Sequence, residues 1–351
     1  MNPEIYYNYS DVLLIPNYSK VKSRSADCDV SFKFSNNMKF KLPVVPANMK
    51  ASIDFEKAQW LAENGYFYIM HRFENRSETL NWIRHMANQG LFVSISIGVQ
   101  DADKLFLEHI ISKNLPVDFI TIDIAHGDCE AMGEMIKFIQ ETFKDYFHGI
   151  PFIIAGNITT PSAAKTLYNK YKVNGIKVGI GCGRTCLTRL QTGFGLPMFT
   201  TIQKIKNAFY VTNKNVKLEF ERPLIIADGG INHFGDATKA FVAGADMVMA
   251  GSMFAKCVDS PSETTQELKI VGNAKHTIGP IYKKWYGSAS EYNKGKYEHV
   301  EGFEIIEETN YRTYSEFLIE WEQALQSSCS YGGAFNIEQM KTQTNWAINY
   351  K

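Results

Sequence analysis

The stretch Phe119-Ile-Thr-Ile-Asp-Ile-Ala125 is followed within a few residues by Glu130–Phe147. In the second segment Met132, Met135, Ile136 and Ile139, with Phe143 one turn on, recur at helical spacing. A short β-branched and aromatic run that is apolar on both alternating faces reads as a strand covered on both sides of a parallel sheet. Coupled to an amphipathic helix, it makes one β-then-α unit. The same unit can be read along most of the chain. Further runs of this kind are Leu42–Ala47, Tyr66–Met70, Phe92–Gly98, Phe152–Gly156, Gly175–Ile180, Leu224–Gly230 and Met247–Ser252. Helical patterns lie between them at Glu56–Asn64, Ser77–Gly90, Asp101–Asn114 and Gly235–Ala245, and a last helix is expected at Glu316–Gln326. In Asp101–Asn114 the spaced set is Leu105, Phe106, His109 and Ile110. Thr160-Pro161 and Ser77 stand where N-caps would. Eight such units without a reversal of strand order predict an α/β fold of the (β/α)8 TIM-barrel class, with a doubly wound sheet as the alternative. One domain over residues 1–351 is expected, with a long polar loop at 181–197 after the sixth run and a long insertion at 253–312 ahead of the last helix. A loop of that length in a compact domain is usually functional, such as a lid, or else a peripheral subdomain.

Composition narrows the function. The chain has 351 residues, 45% apolar and 21% charged, the make-up of an ordinary globular protein. Lys+Arg and Asp+Glu each number 37, so there is no basic excess of the kind that binds nucleic acid. No apolar run is long enough for a membrane helix, and Met1-Asn-Pro-Glu-Ile-Tyr-Tyr lacks the basic and apolar regions of a signal peptide. The six cysteines are dispersed, so reduced thiols and a cytoplasmic location are expected.

In a barrel the chemistry sits at the C-terminal ends of the strands. The sixth run continues into Gly179-Ile-Gly-Cys-Gly-Arg-Thr-Cys-Leu-Thr-Arg189, where glycines let the backbone approach a ligand. Cys186 there is read as a nucleophile or as an incidental cysteine, and a metal role with Cys182 is disfavoured by spacing and by the absence of a nearby His. Asp228-Gly229-Gly230 and Gly251-Ser252 end the next two runs, in the loops where barrels hold phosphate; the plainer reading is tight βα turns. Asp123 and His126 form either a catalytic pair or satisfied polar groups of a barrel layer. Asn48-Met49 and His71-Arg72 complete a polar mouth.

The run from Ile176 to Arg189 resembles the signature of the IMP dehydrogenase / GMP reductase family. Asp11–Pro16, Ser23–Ser25, Pro46–Met49, Asp123–Ala125, Ala155–Asn157, Ala227–Ile231, Tyr286-Gly287 and Glu301-Gly302 fall in that family's order. Tyr66–Phe73 and Gln326–Tyr331 look most like the bacterial reductase branch. The stretch after Met70 leaves no room for the dehydrogenases' CBS modules, and Ser290–Gly302 lacks their Arg-Tyr pair. The resemblance implies NADPH-dependent reductive deamination of GMP to IMP and ammonia, in a homotetramer, by way of a thioimidate on Cys186 with Thr188 and Glu301 as proton relay. Alternatives are an IMP dehydrogenase without CBS modules and a non-catalytic nucleotide-binding barrel.

The resemblance further implies that Asp228, Gly229, Gly230, Gly251, Ser252, Gly287 and Ser288, with Arg184 and Gly302, hold the nucleotide. Asp123, Ile124, Ala125, Arg72, Ile180 and Gly181 would contact the cofactor, reached from a neighbouring subunit by Ser23, Arg24, Ser327, Ser328, Cys329 and Ser330. Carbonyls of Gly181, Gly183, Cys186 and Arg189 would hold K+. The sequence departs from the pattern at Cys182, where proline is usual, and at Glu298, where a basic residue is common.

Overall fold

The computed structural model describes residues 4–35, 38–213, 216–219, 222–271, 274–287, 290 and 301–349. Seven strands make one parallel sheet: β1 (Val44–Pro46), β2 (Ser94–Ile97), β3 (Phe119–Asp123), β4 (Phe152–Ile158), β5 (Gly175–Val178), β6 (Leu224–Asp228) and β7 (Met247–Ala250). Their spatial order is β1-β7-β6-β5-β4-β3-β2, so the sheet curls until its last strand pairs with its first. β2, β5 and β7 are buried at every position, as expected of strands covered on both faces.

The eighth expected strand, Tyr66–Met70, is extended and buried but makes no strand ladder. It lies at the gap between β1 and β2. Phe67 packs on Phe40 and Phe92, and Met70 donates its N–H to the Ser94 carbonyl at 3.1 Å. Its composition suits a strand, but the tertiary contacts are made by side chains and only one backbone bond ties it to β2.

Amphipathic helices cover the sheet. In Glu130–Phe143 all five spaced apolar residues are buried. In Asp101–Ser112 the buried face is Asp103, Phe106, Leu107 and Ile110, while Leu105 and His109 face solvent, so the predicted stripe was rotated by part of a turn. Thr160 caps its helix as expected, accepting from the Ala163 N–H. Ser77 does not cap: Asn75 does, and its side chain accepts the Ser77 N–H at 2.8 Å. The last long helix runs from Tyr314 to Tyr331.

The N-terminal end of the sheet is plugged by a hairpin, Phe32–Ser35 with Met38–Phe40, whose Phe34 ring sits among Phe40, Phe67, Phe119 and Phe152. Access is therefore from the opposite end. There the insertion, read from the sequence as a lid or a peripheral subdomain, folds, among its described residues, as an antiparallel sheet: β8 (Glu263–Val271), β9 (Ala274–Tyr286) and β10 (Glu304–Glu308). It rests on the barrel through Trp285, which packs with Ala51 and Ala255. Among the described residues no helix is long and apolar enough to cross a membrane.

A buried ion cluster closes the β6–β7 end. Asp246 is buried and pairs with Lys341 at 2.8 Å and with the Arg222 guanidinium. Burial pushes its carboxyl up, but Lys341 and Arg222 outweigh this and hold it well below the usual carboxylate range. A depressed carboxyl stabilises the fold above its unfolded pKa, and that stability fades as pH falls below about 4. Asp246→Asn leaves two cations poorly paired, so it should cost about 3–5 kcal/mol at neutral pH. Urea unfolding should show the gap from the wild type narrowing below about pH 4. A pH-independent gap would mean that the charge is not what matters.

Candidate active site

A cavity of about 560 Å³ opens at the C-terminal ends of the strands. Local sequence explains why the chain can converge there. Gly179 ends β5 at φ 142°, and a Cβ on it would lie 2.0 Å from the Asp228 carbonyl oxygen, so only glycine lets the ends of β5 and β6 come this close. Gly181 follows at φ 70° with the Arg189 side chain packed over it.

The loop then turns, with the Cys186 N–H donating to the Gly183 carbonyl at 3.1 Å. The expected polar loop 181–197 contains a short helix, Thr188–Thr192. It is stitched to the segment before β10: Leu187 N–H donates to the Glu301 carbonyl at 2.8 Å, and Phe303 N–H to the Thr185 carbonyl at 3.1 Å. This two-strand stitch puts Glu301 opposite Thr188. Cys186 Sγ lies 3.1 Å from Thr188 Oγ1, which donates to Glu301 Oε2 at 2.5 Å. All three line the cavity and are half-buried. A thiol, a hydroxyl and a carboxylate in one hydrogen-bonded line can pass a proton from sulfur to carboxylate.

Cys182 has a different setting. Arg189 Nη2 donates to its sulfur at 2.9 Å, and the thiol donates to the Ile180 carbonyl at 3.4 Å. Burial pushes this thiol up to about 11, so it stays protonated at neutral pH.

The other wall is polar and charged. Lys177, on β5, is 2% exposed and pairs with Asp123 at 2.7 Å and Asp228 at 3.1 Å. Burial works against its ammonium, but the two carboxylates overcome this and hold it above the usual lysine range. Burial likewise pushes Asp123 up, while Lys177, Arg72 and Asn48 bring it below the ordinary carboxylate range. Asn157 Nδ2 donates to Asp228 Oδ2 at 2.8 Å and to the Gly179 carbonyl at 2.7 Å. Arg72 lines the cavity beside Phe73, and its Nε is buried without an acceptor among the described residues.

Of the residues singled out from sequence, Cys186, Thr188, Glu301, Asp228, Gly287, Asp123, Ile124, Ala125, Arg72, Ile180, Gly181 and Gly183 line this cavity. Gly229, Gly230, Gly251 and Ser252 lie just outside its lining, in the turns after β6 and β7. Gly302 is buried in the stitch to Cys186. Ser288 lies outside the described residues, as does Glu298. Arg184 does not face the cavity, because its guanidinium is paired with Glu307. Asp123 and His126 are not a pair: the carboxylate is taken by Lys177, and His126 is exposed.

Ser23, Arg24 and Ser327–Ser330 gather on another face, where Arg24 Nη1 donates to Ser327 Oγ at 3.1 Å and Ser328 meets Thr238. Cys329 corrects the expectation for that group. It is fully buried in the core, so its thiol is not offered to a neighbouring subunit. Asn48 and Met49, expected in the polar mouth, line the cavity, whereas Asn157 and Lys177 were missed as site residues; for Lys177 the available signal was a lysine in the middle of the otherwise apolar run Gly175–Ile180.

The model of the IMP dehydrogenase / GMP reductase domain matches residues 6–349. A protein of Leptothrix cholodnii named GMP reductase is 42% identical over 342 residues, covering 97% of this chain and 95% of its own length. One of Staphylococcus aureus with the same name is 41% identical over 336 residues, covering 96% and 94%. With a match across nearly all of both chains, this protein belongs to the IMP dehydrogenase / GMP reductase family.

Proposed function

We propose that this chain catalyses GMP + NADPH + H+ → IMP + NH3 + NADP+. The observation that carries the reading is the unbroken line Cys186–Thr188–Glu301 at the edge of a cavity whose other wall carries the carboxylates of Asp123 and Asp228. In the reaction Cys186 sulfur bonds to purine C2 as its proton passes through Thr188 to Glu301. The C2–N bond then breaks, and Glu301 returns a proton through Thr188 so that the amine leaves as ammonia. A thioimidate on Cys186 remains. When bound, a nicotinamide cofactor would supply the hydride that C2 takes up; Cys186 sulfur then leaves C2 as a thiolate when the C–S bond breaks and regains its proton through Thr188. The chain's task is to hold C2 between Cys186 and the cofactor pocket beside Asp123, Ile124 and Ala125, and to keep water out so that the intermediate is reduced and not hydrolysed. In this reading residues 1–351 form one barrel domain without CBS modules, and 253–312 act as the flap that carries Glu301 over the loop 181–197.

NADPH is preferred over NADH on the family resemblance, as are the homotetramer and a cytoplasmic setting. K+ would be held by the carbonyls of Gly181, Gly183, Cys186 and Arg189 and would stiffen the loop. Those of Gly183 and Arg189 already accept the N–H groups of Cys186 and Gly193, which leaves each a lone pair for a hard cation.

The decisive test follows the nicotinamide absorbance band, with GMP and NADPH in one cuvette and IMP and NAD+ in the other. NADPH oxidation that requires GMP supports the reading. Faster NAD+ reduction with IMP would make the chain a dehydrogenase, and GMP binding without turnover in either direction would make it a sensor.

In this reading the backbone of the turns after β6 and β7 holds the phosphate. A Cβ on Gly251 would sit 3.5 Å from Ala47 Cβ and 3.7 Å from Met49 Sδ, ordinary contact distances that leave the fold intact. Gly251→Val, shown to be folded by circular dichroism, should bind GMP at least about tenfold more weakly, through loss of close backbone approach. Unchanged affinity by calorimetry in a folded variant would place the phosphate elsewhere.

A further inference from the structure

Lys177 poses a question that stability does not answer. Every residue of β5 is buried, and a well-packed apolar side chain is often as stable as a buried ion pair. Yet the position carries an ammonium whose surroundings are built for it. The ammonium donates to Asp123 Oδ1 at 2.7 Å and to Asn48 Oδ1 at 3.1 Å, and it forms an ion pair with Asp228 Oδ2 at 3.1 Å.

The sheet register makes this possible. Asp123 on β3 pairs with Gly156 on β4, and Gly156 pairs with Lys177 on β5. A Cβ on Gly156 would lie 2.5 Å from Lys177 Cβ, so a glycine on the strand between clears the path by which the ammonium reaches across β4. On its other side Lys177 meets β6, whose last residue is Asp228.

One positive charge thus serves two carboxylates that flank it on the same wall of the cavity. On the reading given under Proposed function, Asp123 belongs to the cofactor half and Asp228 to the nucleotide half. We propose that Lys177 is a positioning residue that couples the two halves, fixing both carboxylates at once so that either ligand leaves the other's acceptor already ordered. The physical basis is shared ordering. Two neighbouring carboxylates without the ammonium would repel and move apart, and each ligand would have to order its own half. With it, the first ligand to bind Asp123 or Asp228 stiffens the whole network, and the second meets a smaller entropic cost. Such coupling is reciprocal, so GMP must tighten the oxidised cofactor by the factor by which the cofactor tightens GMP.

Calorimetry with GMP and NADP+, a pair that cannot turn over, measures that factor. In the wild type each ligand should tighten the other by about fivefold or more. In Lys177→Gln, shown to be folded by circular dichroism, the factor should fall to one. Lys177→Arg, which keeps a cation and several donors, should restore most of it. A residue that merely supports the fold would weaken both ligands and leave the factor untouched. Independent binding in the wild type overturns the proposal whether or not the glutamine variant folds, and so does a folded Lys177→Gln that keeps the coupling. Failure of the functional reading would look different: the wild type would not oxidise NADPH when given GMP.

Discussion

Cys186→Ser should bind GMP with near-normal affinity and lower kcat by roughly 10⁴-fold or more. The amine at purine C2 is a poor leaving group, and the sulfur bond is what activates C2 for both departure of ammonia and arrival of hydride. Serine occupies the same site and can still hydrogen-bond Thr188, but its hydroxyl is a far weaker nucleophile than a thiol that passes its proton along a relay. Cys182 supplies the internal control. Its thiol is held protonated by burial, lies under Arg189 and is away from the relay. Cys182→Pro should therefore stay active. Intact-protein mass spectrometry with a 2-halogenated purine nucleotide should find a single adduct, mapping to Cys186. An adduct on Cys182, or full activity in Cys186→Ser, would sink the covalent mechanism and leave the fold assignment untouched.

The sequence-based reading succeeded where a physical period was present and stopped where none was. Strand runs such as Phe119–Ala125 are apolar on both faces because helices cover the outer face and strand side chains with the Phe32–Phe40 hairpin fill the inner one, and the structure places β3 there. Tyr66–Met70 has the same composition, yet it is held by aromatic packing and one backbone bond, a distinction that no residue pattern encodes. The strands of the insertion were not legible because their pattern is weak; β10, for one, alternates only between exposed and half-buried positions. At the site, the glycine-rich loop and Cys186 were legible from residue type. Thr188 and Glu301 were not, because the hydroxyl and the carboxylate are 113 residues apart and meet only through the stitch at Leu187 and Phe303; the family resemblance supplied them. Lys177 was inside a quoted motif and went unassigned, since its partners Asp123 and Asp228 stand on other strands.

The relay yields the second large effect. Glu301→Gln keeps the shape and can still accept from Thr188, but an amide cannot take up a proton and return it. The expected loss in kcat is about 10²- to 10⁴-fold, with GMP affinity nearly unchanged. Thr188→Val breaks the line at its middle and should cost a similar factor. Because sulfur, hydroxyl and carboxylate act as one path, the double variant should be hardly slower than the worse single one. Multiplying losses would mean that Glu301 and Thr188 do separate jobs. The leaving group separates proton delivery from every structural explanation. Ammonia needs a proton to depart, whereas halide does not. At alkaline pH, where hydroxide can take the thiol proton in place of the relay, a 2-halogenated purine nucleotide should still label Cys186 in Glu301→Gln at close to the wild-type rate, even though GMP is not turned over. If labelling at high pH is as slow as GMP turnover, then Glu301 positions the base or the loop, and the proton must reach the amine by another route.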